Sequence, residues 1–144
     1  MEKINREATE SFARLLEKLG NKTFIQLEAK GSLPLVIERL EEDIQTAFGL
    51  GTQYSLVHYF MVEDAYKADP EMCFIVIDNR VGYEDFDNLQ IYPYYFRNDI
   101  LPRDQESVII HDNKVIAINE NLQTDQKGYA DSWLKNIAQK GFLH

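Results

Sequence analysis

A chain of 144 residues has the length of one domain, and folding at that size buries roughly two-thirds of the surface that the unfolded chain exposes. A hydrophobic fraction of 44%, with eight Tyr, eight Phe and one Trp, excludes a disordered chain, because such chains lack the bulky side chains that offset ordering entropy. The net charge of −9 disfavours generic nucleic-acid binding, and most of it lies between Glu63 and Asp104, where ten acids face four bases.

These balances predict one domain over residues 1–144 around a single hydrophobic core. No apolar run of 18 residues occurs, and Met1–Arg6 mixes acids and bases with no apolar stretch behind it, so neither a membrane span nor a secretory signal is expected. Cys73 is the one cysteine and lies in the apolar run Met72–Ile77, which predicts a buried structural thiol in a reducing cytoplasm. The acidic middle segment serves solubility, or else mimics DNA or docks on a basic protein partner.

In chain order, Ile4, Ala8, Phe12, Leu15, Leu16 and Leu19 form one helical stripe, and Gly20-Asn21 stops it. From Lys22 the period changes to two. Strands are predicted near Thr23–Glu28, Leu35–Leu40, Tyr54–Val62, Glu71–Ile77, Leu89–Phe96, Ser107–His111 and Lys114–Asn119. Tyr54–Val62 is fairly apolar on both faces and reads as a central strand. Asp112-Asn113 suits a tight hairpin turn, whereas Glu41–Thr52 and Asp78–Asn88 read as surface connections. After Asn121 the helical period returns with Tyr129, Trp133 and Ile137. Thr124 or Asp125 is the expected cap, Gly141 the stop, and Trp133 an anchor between helix and sheet.

The fold expected is therefore α+β: an antiparallel sheet of about five to seven strands with the N-terminal and C-terminal helices packed on one face.

The sequence holds no phosphate-binding loop, no Gly-rich dinucleotide fingerprint, no paired histidines four apart and no Gly-x-Ser-x-Gly elbow. No cofactor and no resident metal are expected. A polar cluster remains at His58, Tyr59, Glu63, Asp64, Asp69 and Glu71. If Tyr54–Val62 pairs with Glu71–Ile77, His58 with Asp64, Asp69 or Glu71 could bind a divalent metal or act as acid and base in a hydrolase or nuclease, provided the side chains converge. The plainer account makes His58 a hydrogen-bonded, semi-buried histidine, Asp69-Pro70 a turn initiator, and Glu63 and Asp64 the solvated end of a hairpin.

The second cluster is the run Ile91-Tyr92-Pro93-Tyr94-Tyr95-Phe96-Arg97. Alternation places Tyr92, Tyr94 and Phe96 on one face. Stacked rings beside an Arg could make a binding platform, and Pro93 marks an edge or a bulge because it lacks a ladder N–H. The candidate binding surface comprises Tyr59, Tyr92, Tyr94, Arg97 and Asp99, open to a protein partner or to a second copy through an edge strand.

At these residues a family resemblance appears. Tyr54-Ser55-Leu56-Val57-His58-Tyr59-Phe60 followed by Asp69-Pro70-Glu71-Met72-Cys73-Phe74 resembles the "S-x-x-H-Y-Y … D-P-E-M-x-F" signature of a domain of unknown function, family six-nine-zero-eight. Pro34-Leu35-Val36-Ile37-Glu38 looks like its second-strand motif, and Ile91–Asp99 is similar to its "Y-P-x-x-x-Q-x-D" strand. Trp133-Leu134-Lys135-Asn136-Ile137 with Gln139-Lys140-Gly141-Phe142 resembles its "W-x-x-N-x-x-x-Q-G" terminal helix. The resemblance implies a setting in bacterial chromosomes, plasmids, phage and conjugative elements, sometimes beside DNA-processing proteins, with no activity to transfer. One departure weakens a catalytic reading of the polar turn: Met61-Val62-Glu63-Asp64-Ala65 stands where members commonly carry Glu-Gln-Asn-Gly-Asp. The expectation is a non-catalytic accessory or interaction module of a mobile genetic element, with a metal-dependent hydrolase or a small-molecule or peptide binder as alternatives.

Overall fold

Asn5 opens the first helix, its side-chain oxygen accepting from the Ala8 N–H at 2.8 Å and so satisfying an orphan donor of the first turn. In the computed structural model, which describes residues 1–144, this helix is α1 (Arg6–Leu19). Ala8, Phe12, Leu15 and Leu19 are buried as the stripe predicts. Gly20 ends the helix with φ 56°, a conformation that a side chain resists. Phe12 meets Phe74 edge-on at 5.0 Å and Tyr54 at 6.2 Å, so the stripe faces the sheet.

Nine strands follow: β1 (Phe24–Leu27), β2 (Leu35–Arg39), β3 (Ile44–Thr46), β4 (Gly49–Val62), β5 (Ala65–Asp78), β6 (Leu89–Asn98), β7 (Arg103–Glu106), β8 (Val108–His111) and β9 (Lys114–Ile118). The hydrogen-bonded order is β7-β6-β5-β4-β3-β9-β8, with β2 also on β4 and β1 on β2. The expectation of an antiparallel sheet of five to seven strands is corrected here. β3 runs parallel to β9 through Gln45 and Lys114, and the sheet is mixed.

The two added strands have separate causes. Glu41–Thr52, read as a surface connection, contains β3 and the start of β4, paired through Ile44 and Gly51. A Cβ on Gly51 would stand 2.6 Å from Ile75 Cγ2, so the glycine serves close packing here and not a loop. β7 consists of Arg103-Asp104-Gln105-Glu106, all exposed, and has no apolar period to betray it.

The helix α2 (Glu120–Gln139) is capped by Asn119, whose side chain accepts from Leu122 N–H at 3.1 Å. It therefore starts ahead of the expected Thr124 or Asp125, because Asn119, the residue directly after β9, already caps the helix. Ala130, Trp133, Leu134 and Ile137 join Phe12, Leu35, Leu56, Met72 and Phe74 in one core cluster, so both helices cover the same sheet face. On the opposite face Val108 packs with Cys73, Ile75 and Tyr94, and Ser107 N–H donates to Tyr94 O at 2.9 Å. The sheet thus curls toward closure. Neither helix is long and apolar enough to cross a membrane.

Candidate functional site

The β4–β5 hairpin is irregular at one place. Val57 pairs with Glu71 and Tyr59 with Ala68, so His58 alone stands opposite Asp69 and Pro70. Such a two-against-one bulge re-aims side chains at the point where the ladder breaks. Its neighbours end there too, because β2 reaches only to His58 and β6 only to Glu71. Beyond the bulge, Tyr59–Ala68 runs out as a two-stranded arm to the turn Glu63-Asp64, both residues at positive φ (51° and 66°).

His58 turns toward the helices. Its Nδ1 lies 3.2 Å from Pro34 O, and a carbonyl only accepts, so Nδ1 carries the hydrogen and Nε2 the lone pair. The ring sits 5.6 Å from Trp133 and 5.5 Å from Phe142. Burial is the main cause that lowers its pKa below 6.5; Lys140 acts in the same direction, while the Pro34 and Leu33 carbonyls and Asp69 oppose it. His58 is therefore neutral at neutral pH. Asp69 is held in place by Asn98 Nδ2, which donates to its carboxylate at 2.8 Å.

Across from the bulge, α2 presents Tyr129, Ser132, Trp133 and Asn136, followed by the capping residue Lys140, a set spaced along one flank of the helix. Ser32 and Leu33, from the β1–β2 connection, form the third side. These three elements enclose a cleft of about 450 Å3 with His58, Asp69 and Pro70 on its sheet side. Trp133 is 7% exposed and anchors the wall, whereas Tyr129 is 43% exposed and stacks edge-on against Phe96 at 4.8 Å. Burial, and then the Asp69 charge, raise the Tyr129 pKa, so its phenol stays protonated.

Of the acid–base set read from the sequence, the structure brings His58 and Asp69 into this cleft and leaves the others elsewhere. Asp64 is in the exposed arm turn. Glu71 points to the other sheet face, where it accepts from Ser55 Oγ at 2.6 Å and lies 3.4 Å from Arg97 Nε. No three His, Cys, Asp or Glu side chains gather closely enough to hold a metal ion.

The binding surface read from the sequence is divided. Tyr59, near Glu71 and Arg97, packs on Tyr66 at 5.6 Å, and Asp99 lies 3.8 Å from Arg97 while accepting from Ala68 N–H at 2.8 Å. These three residues sit together at the root of the arm. Tyr92 instead stacks on Phe48 at 5.8 Å and donates to Gln90, while Tyr94 is buried at 8% exposure beside Cys73.

The alternation expected of Tyr92, Tyr94 and Phe96 is broken by a bulge. Cys73 pairs with Tyr95 but Phe74 with Pro93, so Tyr94 is an extra residue. Phe96 accordingly joins the helix-side core, and Tyr95 packs beside Tyr94 on the opposite face. The irregularity anticipated at Pro93 is this bulge. β6 itself lies between β5 and β7.

Sequence reasoning left Ser32, Ser132 and Lys140 without a role and placed Tyr129 on the apolar stripe with Trp133 and Ile137, whereas its ring is exposed at the cleft. The one signal available for the helical members was their spacing beside Trp133 and Asn136.

A family model described as a domain of unknown function, DUF6908, matches residues 10–143. The chain belongs to that family. No curated protein and no solved structure matches it. In this family member, His58, Asp69, Trp133 and Asn136 come from three separate motif segments and meet at the same cleft.

Proposed function

We propose that the domain is a non-catalytic recognition module that takes a small polar solute into the cleft between α2 and the His58–Asp69 bulge. The observation that carries this reading is the convergence of His58, Asp69, Asn136 and Lys140 on one cleft of about 450 Å3 walled by Trp133 and Tyr129. A few convergent polar groups on an aromatic-walled concavity of this size are what small-ligand sites require. The neutral His58 offers an Nε2 acceptor, and Asp69 is already oriented by Asn98, so the groups are preorganised.

The reading is narrower than an acid–base enzyme built on four residues, since Asp64 and Glu71 stand away from His58. The setting we assign is cytoplasmic, in keeping with the lone buried Cys73. Its acidic middle segment would dock on a basic partner of a mobile genetic element, a setting drawn from the resemblance.

Ligand-observed NMR on a mixture of small polar metabolites tests this reading, run on the native chain and on Ser132→Trp, which fills the cleft from an exposed helix position. Expected are ligands that bind the native chain, are lost with Ser132→Trp, and are recovered unchanged after long incubation. Binding that survives the blocking substitution, or conversion of the ligand, would overturn it.

A further inference from the structure

Asp69 and Lys140 bring opposite charges to one cleft, yet neither makes an ion pair, although Arg6, Arg80, Arg97 and Lys127 form six ion pairs elsewhere in the chain. His58 feels both of them, since Lys140 lowers its proton affinity and Asp69 raises it. Both charges therefore act on the same interior of the cleft. We propose that the cleft binds a zwitterionic solute of the size of a free α-amino acid, with its ammonium against Asp69 and its carboxylate against Lys140. This inference rests on the reading of the cleft as a ligand site.

The surroundings of each charge match one end of such a solute. Asn98 occupies one oxygen of Asp69, which leaves the other for a donor, and the rings of Tyr129 and Trp133 line the same cleft. A carboxylate beside aromatic faces attracts an ammonium both by charge and through the ring quadrupoles. On the helix side, Ser132 and Asn136 lie on successive turns of α2 and Lys140 caps its end, and all three carry donors suited to a carboxylate.

A solute with one charge would pair with only one of the two charges of the cleft and forgo the other attraction. A dipolar solute satisfies both. At about 450 Å3 the cleft also leaves room for a side chain between its aromatic walls.

Isothermal titration of the full chain with each standard L-amino acid, and with the N-acetyl and carboxamide derivative of each, tests the proposal. At least one free amino acid is expected to bind, and capping either end is expected to weaken it by about tenfold or more. Asp69→Asn, an isosteric change, should abolish the penalty of N-acetylation while keeping that of amidation. Lys140→Gln, at an exposed position, should do the reverse. Affinity indifferent to capping overturns the proposal, as does a cleft that binds other polar solutes but no free amino acid. The latter result leaves the ligand site standing, whereas a cleft that binds no polar solute of any charge removes both.

Discussion

Gln123 Nε2 on α2 donates to the carbonyl oxygen of Pro93 on β6 at 3.0 Å, in the buried interior and across 30 positions of chain. Pro93 sits where the β5–β6 register slips, so a side chain supplies the partner that its carbonyl has there. The same amide accepts from Glu2 N–H at 2.9 Å, which ties the first residues to the helix. One turn later Gln126 accepts from Ser107 Oγ at 2.5 Å and donates to Gln105 O at 2.9 Å. Two buried glutamines thus fasten α2 to the irregular side of the sheet.

Replacing Gln123 by Leu keeps its bulk but removes the partner of the Pro93 carbonyl and of the Glu2 N–H. Glu2 is exposed, so its N–H returns to water, whereas a buried carbonyl left unsatisfied costs about 1–3 kcal/mol, and Gln123→Leu should lower the unfolding free energy by about that amount in urea melts. Lys135→Ala, on the exposed side of the same helix, should change it by less than about 0.5 kcal/mol. Equal effects would mean that the glutamine is not acting as a fastener.

Glycines provide a second comparison. Gly51→Ala places a Cβ 2.6 Å from Ile75 Cγ2 and 3.3 Å from Val76 O, and Ile75 is fully buried, so overpacking should destabilise by about 1–3 kcal/mol. Gly82→Ala meets nothing within 4 Å and should be neutral or stabilising by up to about 1 kcal/mol. Thermal melts of the two variants side by side decide whether β4 lies against β5 as closely as described.

Cys73 is buried at 7% exposure, and burial above all, followed by the Glu71 charge, pushes its thiol up to about 12. The thiolate is the reactive form, so the native chain at about pH 8 should react with a thiol reagent at least about a hundredfold more slowly than the urea-unfolded chain. Fast native labelling would show that the β8–β9 hairpin does not cover that face.

Burial holds His58 below 6.5 in the fold, while unfolding returns it to that ordinary value. In the window between the two, the unfolded chain binds the extra proton, so stability rises with pH. The contribution of neutral His58 is complete above pH 6.5 and is lost as the pH falls toward the folded value. His58→Asn retains a donor for Pro34 O without a titrating ring. The drop in unfolding free energy between about pH 7.5 and about pH 5.5 should be larger for the native chain than for this variant. Identical drops would place His58 in solvent.

The elements with a strong apolar period were legible before any coordinates. The stripe of α1, the β8–β9 hairpin around Asp112-Asn113 (φ 50° and 58°) and the Trp133 anchor all follow from burial patterns or turn chemistry within short windows. The family, too, was readable from linear motifs and is shown by the match over residues 10–143. What escaped were β3 and β7, the first paired with a glycine-bearing start of β4 that read as a loop and the other held by backbone pairing without apolar side chains.

The chain's own amino-acid order therefore determined its α+β class, its main strands, the apolar stripe of α1 and the Trp133 anchor of α2, because local period and polarity decide which faces leave water. Tertiary structure alone decided that the sheet is mixed, that Phe96 turns to the helix-side core beyond a bulge at Tyr94, and that His58 and Asp69 share a cleft with Asn136 and Lys140 while Asp64 and Glu71 do not. The physical reason is that a bulge of one residue reverses every side chain beyond it: Pro93 signals an irregularity in β6, but the local pattern of β4 and β5 does not record where their ladder will slip.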